Sequence, residues 1–406
     1  MSASQPLAAD RAAEWSSFVS HLECSATGAR VPAGELHNLS PAGKPLLVRY
    51  DLPAVRAAVH REDLQSRPEN FWRYREVLPL TDPANMVSLG ECMTPIVPLD
   101  RVEPSGRVFM KDESRLPTCS FKARGFGLAL SMARELGVTK AALPTNGNAG
   151  AAFAAYGARA GMDITVFCPV DTPAITLREI AFYGAHVQRV NGHINDCGRL
   201  IAEGREEHGW FDISTLKEPY RVEGKKTTGY ELAEQLGWRL PDVIVYATGG
   251  GSGVIGMWKA FDEMEALGWI GTKRPRMVAV QSTGCAPIVR AFDEGADHAE
   301  PWQDAATVAA GIRVPAPIGD FLILRAIRAS NGFAIAIDDE TILATQAELT
   351  RREGLLVCPE GASTYAAYRA ARRDGRIGAN EEAMLFNCAS GVKYPMPDVV
   401  GEAVEI

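Results

Sequence analysis

No apolar run in this 406-residue chain approaches the roughly 18–20 residues a membrane span needs, so nothing points to a membrane. No basic tract offsets the net charge of −8, which argues against nucleic acid as a partner. The eight cysteines are scattered singly, without a Cys-x-x-Cys pair, and read as reduced thiols of a cytoplasmic protein rather than a disulfide framework. The seven histidines show no metal-ligand clustering, and His186 falls in a strand-like run. Residues 1–5 carry neither the charged region nor the apolar region of a signal peptide. Internal repeats and low-complexity linkers are absent. What is present is 46% hydrophobic and 23% charged, enough for two α/β domains with a substantial core.

Apolar runs alternate with helical periodicity along most of the chain. Strands are expected at 108–111, 141–145, 164–168, 186–190, 243–247, 277–281, 334–337 and 383–387. Helices are expected at 126–136, 151–160, 175–183, 196–207, 228–236, 254–267, 341–352 and 363–373. This order predicts doubly wound parallel sheets covered by helices on both faces. Three strand–helix units within 136–214 predict a small mobile domain, with 61–135 and 215–406 forming the larger one. Residues 1–60, rich in Pro and Gly with a weak core pattern, read as an appended segment.

Four polar segments interrupt this pattern where ligands bind. Ser120-Phe121-Lys122-Ala123-Arg124-Gly125 puts a lysine at the start of a helical segment. There the positive end of the helix dipole disfavours protonation and makes the amine a nucleophile for carbonyls, most commonly in a Schiff base with pyridoxal phosphate. Thr145-Asn146-Gly147-Asn148-Ala149-Gly150 lies between a strand and an Ala-rich helix, an anion-binding arrangement, although the same residue types build ordinary caps and turns. Thr248-Gly249-Gly250-Gly251-Ser252-Gly253 has a strand before it and a helix after it, so several backbone N–H groups can turn toward one phosphate. No Gly-Lys-Ser/Thr follows, which excludes a Walker loop, and no acidic residue supports a dinucleotide fingerprint. The fourth segment, Asn387-Cys388-Ala389-Ser390-Gly391-Val392-Lys393-Tyr394, ends a hydrophobic strand in small polar residues.

In this order the four segments resemble the fold-type II pyridoxal-phosphate enzymes, and within them the threonine synthase family. The resemblance extends to the stretch 67–74, to Gly90-Glu91-Cys92-Met93-Thr94-Pro95, to Lys111-Asp112-Glu113-Ser114 and to Glu223-Gly224-Lys225-Lys226-Thr227. It implies that the cofactor is pyridoxal 5'-phosphate, joined to Lys122 and sitting in the cleft between the domains. Lys122 would then serve as base and acid, with Phe121 beside the pyridine ring and Asn148 on the phenolic oxygen. Gly249, Gly250, Gly251, Ser252 and Gly253 would hold the phosphate, and Thr145, Asn146 and Gly147 the substrate carboxylate. The partner of the pyridine nitrogen, a Thr or Ser in many relatives, falls at Cys388, with Ser390 and Asn387 as alternatives. Such a neutral partner implies a moderate electron sink. Thr176 and Arg178 could reach a distal substrate phosphate, or Arg178 could form a surface salt bridge.

Departures from the family pattern lie at Ala123, where many relatives have Asp, and at the N-terminal zinc ribbon. The ribbon's cysteine positions hold Cys24, Thr27, Ser40 and Ala42, and with only His37 nearby the segment reads as a metal-free remnant. The resemblance implies a lyase, usually homodimeric, converting O-phospho-L-homoserine and water to L-threonine and phosphate. The alternative is a threonine or serine dehydratase, or a β-replacement enzyme, with the same cofactor residues. A non-catalytic module is disfavoured by the intact Lys122, Asn148 and glycine loop.

Overall fold

The computed structural model describes residues 15–396, so the signal-peptide reading at residues 1–5 lies outside the described residues. The first sheet is antiparallel, with order β2-β1-β3 from β1 (Val19–Cys24), β2 (Arg30–Val31) and β3 (Leu46–Tyr50). Helix α1 (Leu52–Ala58) follows, opened by the Asp51 side chain, which accepts from the Ala54 N–H. After β4 (Ile96–Pro98), β5 (Val108–Asp112) and α2 (Lys122–Glu135) comes a strict strand–helix series. It comprises β6 (Lys140–Pro144), α3 (Asn148–Ala160), β7 (Asp163–Pro169), α4 (Ala174–Phe182), β8 (His186–Val190), α5 (Ile194–His208) and β9 (Phe211–Asp212). Its strands form an all-parallel sheet of order β8-β7-β6-β9, drawn entirely from within 136–214.

The remainder runs α6 (Tyr220–Gln235), β10 (Val243–Ala247), α7 (Ser252–Leu267), β11 (Arg276–Ser282), α8 (Pro287–Asp293) and α9 (Asp320–Ala329). It closes with β12 (Phe333–Ile337), α10 (Asp339–Glu353), α11 (Pro359–Arg373) and β13 (Ala383–Asn387). These strands join β5 and β4 in a six-stranded sheet of order β12-β11-β10-β13-β5-β4, parallel except at β4. Every residue of β10 and β13 is buried, as expected of strands covered on both faces. The α/β class and the eight expected strands are therefore present.

Three differences from the sequence reading have physical causes. Helix α6 starts at Tyr220, well before the expected 228, because its first two turns bury Glu223, Lys225 and Lys226 and those charges mask the apolar period. Short β1–β4, β9, α1 and α8 were not expected, being too brief for periodicity to register, and the ten-residue α9 was not expected either. The N-terminal sheet is also less peripheral than its composition implies. Leu22 and Val48 are fully buried in one cluster with Phe126 of α2, Phe153 of α3 and Val166 of β7. Helix α2 thus shares its core with the four-stranded sheet while its first residue enters the cleft.

Candidate active site

Strand β10 pairs with β11 on one side and β13 on the other, so connections leave in opposite directions above their C-terminal ends. Open parallel sheets bind ligands at such a switch point. A cavity of about 470 Å³ lies there, bounded by Phe121 and Lys122, the turn after β6, the glycine loop after β10, Cys388 after β13, and α5.

The approach to Lys122 is strained. Thr118 and Cys119, at φ 57° and 53°, are consecutive non-glycine residues in the left-handed region. Such backbone costs on the order of 1–2 kcal/mol per residue and needs outside support. Lys393 Nζ donates to the Thr118 carbonyl at 2.9 Å, the Ser390 N–H to the Cys119 carbonyl at 3.0 Å, and the Phe121 N–H to the Cys388 carbonyl at 2.9 Å. The segment after β13 therefore holds the lysine turn in place. Burial, then the nearby Arg221 guanidinium, lowers the Lys122 amine to about 8, opposed by Cys388 and Glu360. Desolvation and a neighbouring cation thus account for the shift expected from a helix dipole. Phe121 presents its ring 4.3 Å from Lys122 Nζ and 3.9 Å from Lys225 Nζ, while Lys225 donates to the Phe121 carbonyl.

Beneath this turn, Arg124 is fully buried against Glu113 and Glu231, at 2.6 and 2.7 Å, and Glu231 also pairs with Lys111. Although burial disfavours its charge, Arg124 and Lys111 hold Glu231 at about 2. Close approach of α6 makes this possible, since a Cβ at Gly224 would collide with the Arg124 carbonyl.

After β6, the Thr145 hydroxyl accepts from the Gly147 and Gly150 N–H groups at 3.1 and 3.0 Å and closes the turn. Asn146 and Gly147 line the cavity, and the Asn146 side-chain oxygen is buried without a partner. Asn148 opens α3 and its Nδ2 donates to the Tyr394 hydroxyl at 2.9 Å. Opposite, Gly249, Gly250, Gly251, Ser252 and Gly253 wrap the N-terminus of the 16-residue α7. Gly251 has φ +78°, and a Cβ there would strike Ile323. At Gly249 a Cβ would lie 2.9 Å from the Gly311 carbonyl.

Cys388 lines the cavity, whereas the two alternatives for its expected role are engaged elsewhere. Asn387 Nδ2 donates to Asp112 at 2.7 Å, and Ser390 caps Val392. Thr176 is on the wall; Arg178, two residues along α4, projects from another side of the helix and is exposed outside the cavity. Cavity residues the sequence reading missed include Glu360, Tyr394, Arg199 and Lys217. Tyr394 stood in a segment already singled out; the others carry only the ordinary signature of solvated helix and loop charges. Around the former ribbon positions, Ser40 Oγ donates to Cys24 Sγ at 3.1 Å. No cluster of three potential metal ligands occurs among the described residues.

Residues 87–389 match the family model described as "Pyridoxal-phosphate dependent enzyme". Threonine synthase from Methanocaldococcus jannaschii is 33% identical over 376 residues, covering 92% of each chain. Threonine synthase from Methanosarcina acetivorans is 33% identical over 380 residues, again covering 92% of each. Among solved structures, maize serine racemase aligns with a TM-score of 0.64 at 22% identity, covering 74% of this chain and 88% of that one. The processed form of threonine deaminase isoform 2 from Solanum lycopersicum aligns at 0.63 and 18% identity, covering 73% and 79%. The chain belongs to the pyridoxal-phosphate-dependent enzymes and, within them, to the threonine synthase family; it is a pyridoxal-phosphate-dependent lyase. The cleft fits that cofactor: an amine of lowered pKa faces a loop whose missing Cβ atoms leave backbone N–H groups and a helix N-terminus open to a phosphate.

Proposed function

From membership in this family, we propose that the protein converts O-phospho-L-homoserine and water to L-threonine and phosphate. The observation that carries this reading is the one-third identity to two threonine synthases across nearly the whole length of both chains. The 249–253 loop binds the cofactor phosphate through backbone N–H groups, and Asn148 holds the phenolic oxygen. Thr145, Asn146 and Gly147 receive the substrate carboxylate. When bound, the cofactor draws electrons from the substrate's Cα, so that bonds to hydrogen and to leaving groups can break.

Lys122, with an amine near pH 8, moves protons at Cα and Cβ in both directions. Phosphate leaves from Cγ, a proton is delivered to Cγ to form the methyl group, and water adds its hydroxyl at Cβ while a proton returns to Cα. Arg199 of α5, which also pairs with Glu203, and Lys217 after β9, which also pairs with Asp212, line the cavity and offer positive charge to the departing phosphate, whereas Arg178 lies outside it. Lys393, paired with Glu179 of α4 at 2.8 Å, and Tyr394, bonded to Asn148 of α3, tie the segment after β13 to the small-sheet helices. Forming and breaking these ties lets 136–214 close over the substrate and exclude water until phosphate has departed.

The test is phosphate release by the yellow holoenzyme supplied with O-phosphohomoserine, with L-threonine, L-serine and O-acetylserine assayed in parallel. Equal amounts of phosphate and threonine are expected. Ammonia and an oxoacid from threonine or serine, without phosphate release, would instead make the protein a dehydratase.

A further inference from the structure

The segment between β9 and α6 brings Ser214, Thr215 and Lys217 to the cavity wall. Within it Leu216 has φ 61°, a left-handed backbone that a non-glycine residue keeps only with outside support. Part of that support is apolar, since Leu216 is buried in one cluster with Ile255 and Ile323. Part is polar and local: the Asp212 carboxylate accepts from the Ser214 N–H at 3.0 Å and from Lys217 Nζ at 3.1 Å. Thr215 abuts the glycine loop, where a Cβ at Gly250 would lie 3.1 Å from the Thr215 methyl group.

Further support reaches the segment from the loop that joins β2 to β3 in the N-terminal sheet. Asn38 Nδ2 donates to the Asp212 carbonyl at 2.8 Å and to the Lys217 carbonyl at 3.1 Å, the two ends of the segment. Two carbonyl oxygens can be met only by the two amide N–H groups, which fixes the orientation of this side chain. Its Oδ1 is buried with no partner among the described residues, so the amide acts here through its donors alone. The Tyr220 hydroxyl, at the start of α6, donates to the Ala33 carbonyl of the same loop at 3.4 Å.

Lys217 connects this clamp to the cavity. An ammonium group has three donors, and here one goes to Asp212 while the residue lines the cavity wall. A lysine is a point charge on a flexible stem, so where it can meet an anion depends on where the backbone holds it. We infer that Asn38 is a positioning residue: by clamping the carbonyls of Asp212 and Lys217 it holds the 212–217 segment so that Lys217 faces the phosphate group of the substrate. The N-terminal sheet thereby acts on substrate binding through the backbone of this segment. The inference rests on the phosphorylated substrate proposed above and adds the residue that sets the place of its phosphate.

The experiment measures binding of inorganic phosphate to the holoenzyme by titration calorimetry, beside steady-state kinetics with O-phosphohomoserine. Asn38→Asp keeps the shape of the side chain and sets a carboxylate oxygen against the two carbonyls. It is expected to weaken phosphate binding about 10-fold, in line with the loss of these hydrogen bonds. KM should rise by a similar factor while kcat changes less than about 3-fold and the cofactor absorbance stays in place. Lys217→Met should also weaken phosphate binding, and adding Asn38→Asp to it should weaken binding no further, because the clamp acts through Lys217. Unchanged phosphate affinity in Asn38→Asp, an additive double variant, or loss of kcat and cofactor affinity in step with KM overturns the inference. So does a wild type that binds no phosphate. Should Asn38→Asp fail to fold, Asn38→Ala, which removes the donors without adding a charge, is judged by the same outcomes. If phosphate binding depends on Asn38 and Lys217 but O-phosphohomoserine is not turned over, the substrate reading fails and the phosphate subsite stands.

Discussion

Lys122 owes its reactivity to surroundings that disfavour a positive charge, namely a desolvated pocket with Arg221 nearby. Its side chain is only partly buried, so solvent screening limits the shift, yet the amine remains well below an ordinary lysine. In the cofactor-free protein, its rate of reductive methylation should rise with pH around a midpoint of about 8, because the neutral amine is the nucleophile and accumulates above its pKa. Peptide mapping at Lys122 across pH 6–11 checks this, and a midpoint above about 10 would contradict it. Lys122→Ala should remove the yellow absorbance of the holoenzyme and cut turnover by several orders of magnitude, read from a spectrum and a steady-state assay. A yellow, fully active variant would remove Lys122 from its proposed role.

Among the elements, the loop between β10 and α7 and the packing of α2 against α6 do most to shape the cleft. Gly251 must adopt a left-handed conformation and leave room for Ile323. Gly251→Ala should therefore cost about 1–3 kcal/mol of stability and raise the cofactor dissociation constant, measurable by urea denaturation and by cofactor titration. Between α2 and α6 the buried Arg124–Glu231–Lys111 group ties the base of the lysine turn to the body of the protein. Removing one partner strands the others, so Arg124→Met should destabilise by roughly 3–5 kcal/mol. The same group predicts an acid limit. Glu231 is held at about 2, below its value of roughly 4.5 in an unfolded chain, so its contribution is present above pH 4.5 and is lost as pH falls toward 2. Urea midpoints at pH 5 and pH 3 should show this loss in the wild type and a smaller one in Arg124→Met.

At the scale of the whole molecule, the N-terminal sheet is held by packing and by a buried polar contact, the Tyr50 hydroxyl donating to Glu223 of α6 at 2.7 Å. Incubation with a chelator should leave the melting temperature and the zinc content of the protein unchanged. Release of zinc together with a lowered melting temperature would identify a structural metal after all. The strand–helix order, the class of the fold and the polar segments around Lys122, Asn148, Gly251 and Cys388 were legible along the chain. Each is encoded locally, by apolar period, turn chemistry or the glycines a tight turn requires. Glu360, Lys217 and the buried ion groups were not. A charged residue looks the same in sequence whether it faces water or a protein interior, and periodicity rules treat it as exposed. Whether Glu360 meets solvent or Cys388 depends on how α11 and β13 come together across the sheet, and whether Arg124 is paired depends on α6 approaching α2 at Gly224. Local sequence thus specified the elements and their turn chemistry, while long-range packing selected which charges were buried and brought Glu360 to the cavity wall beside Cys388.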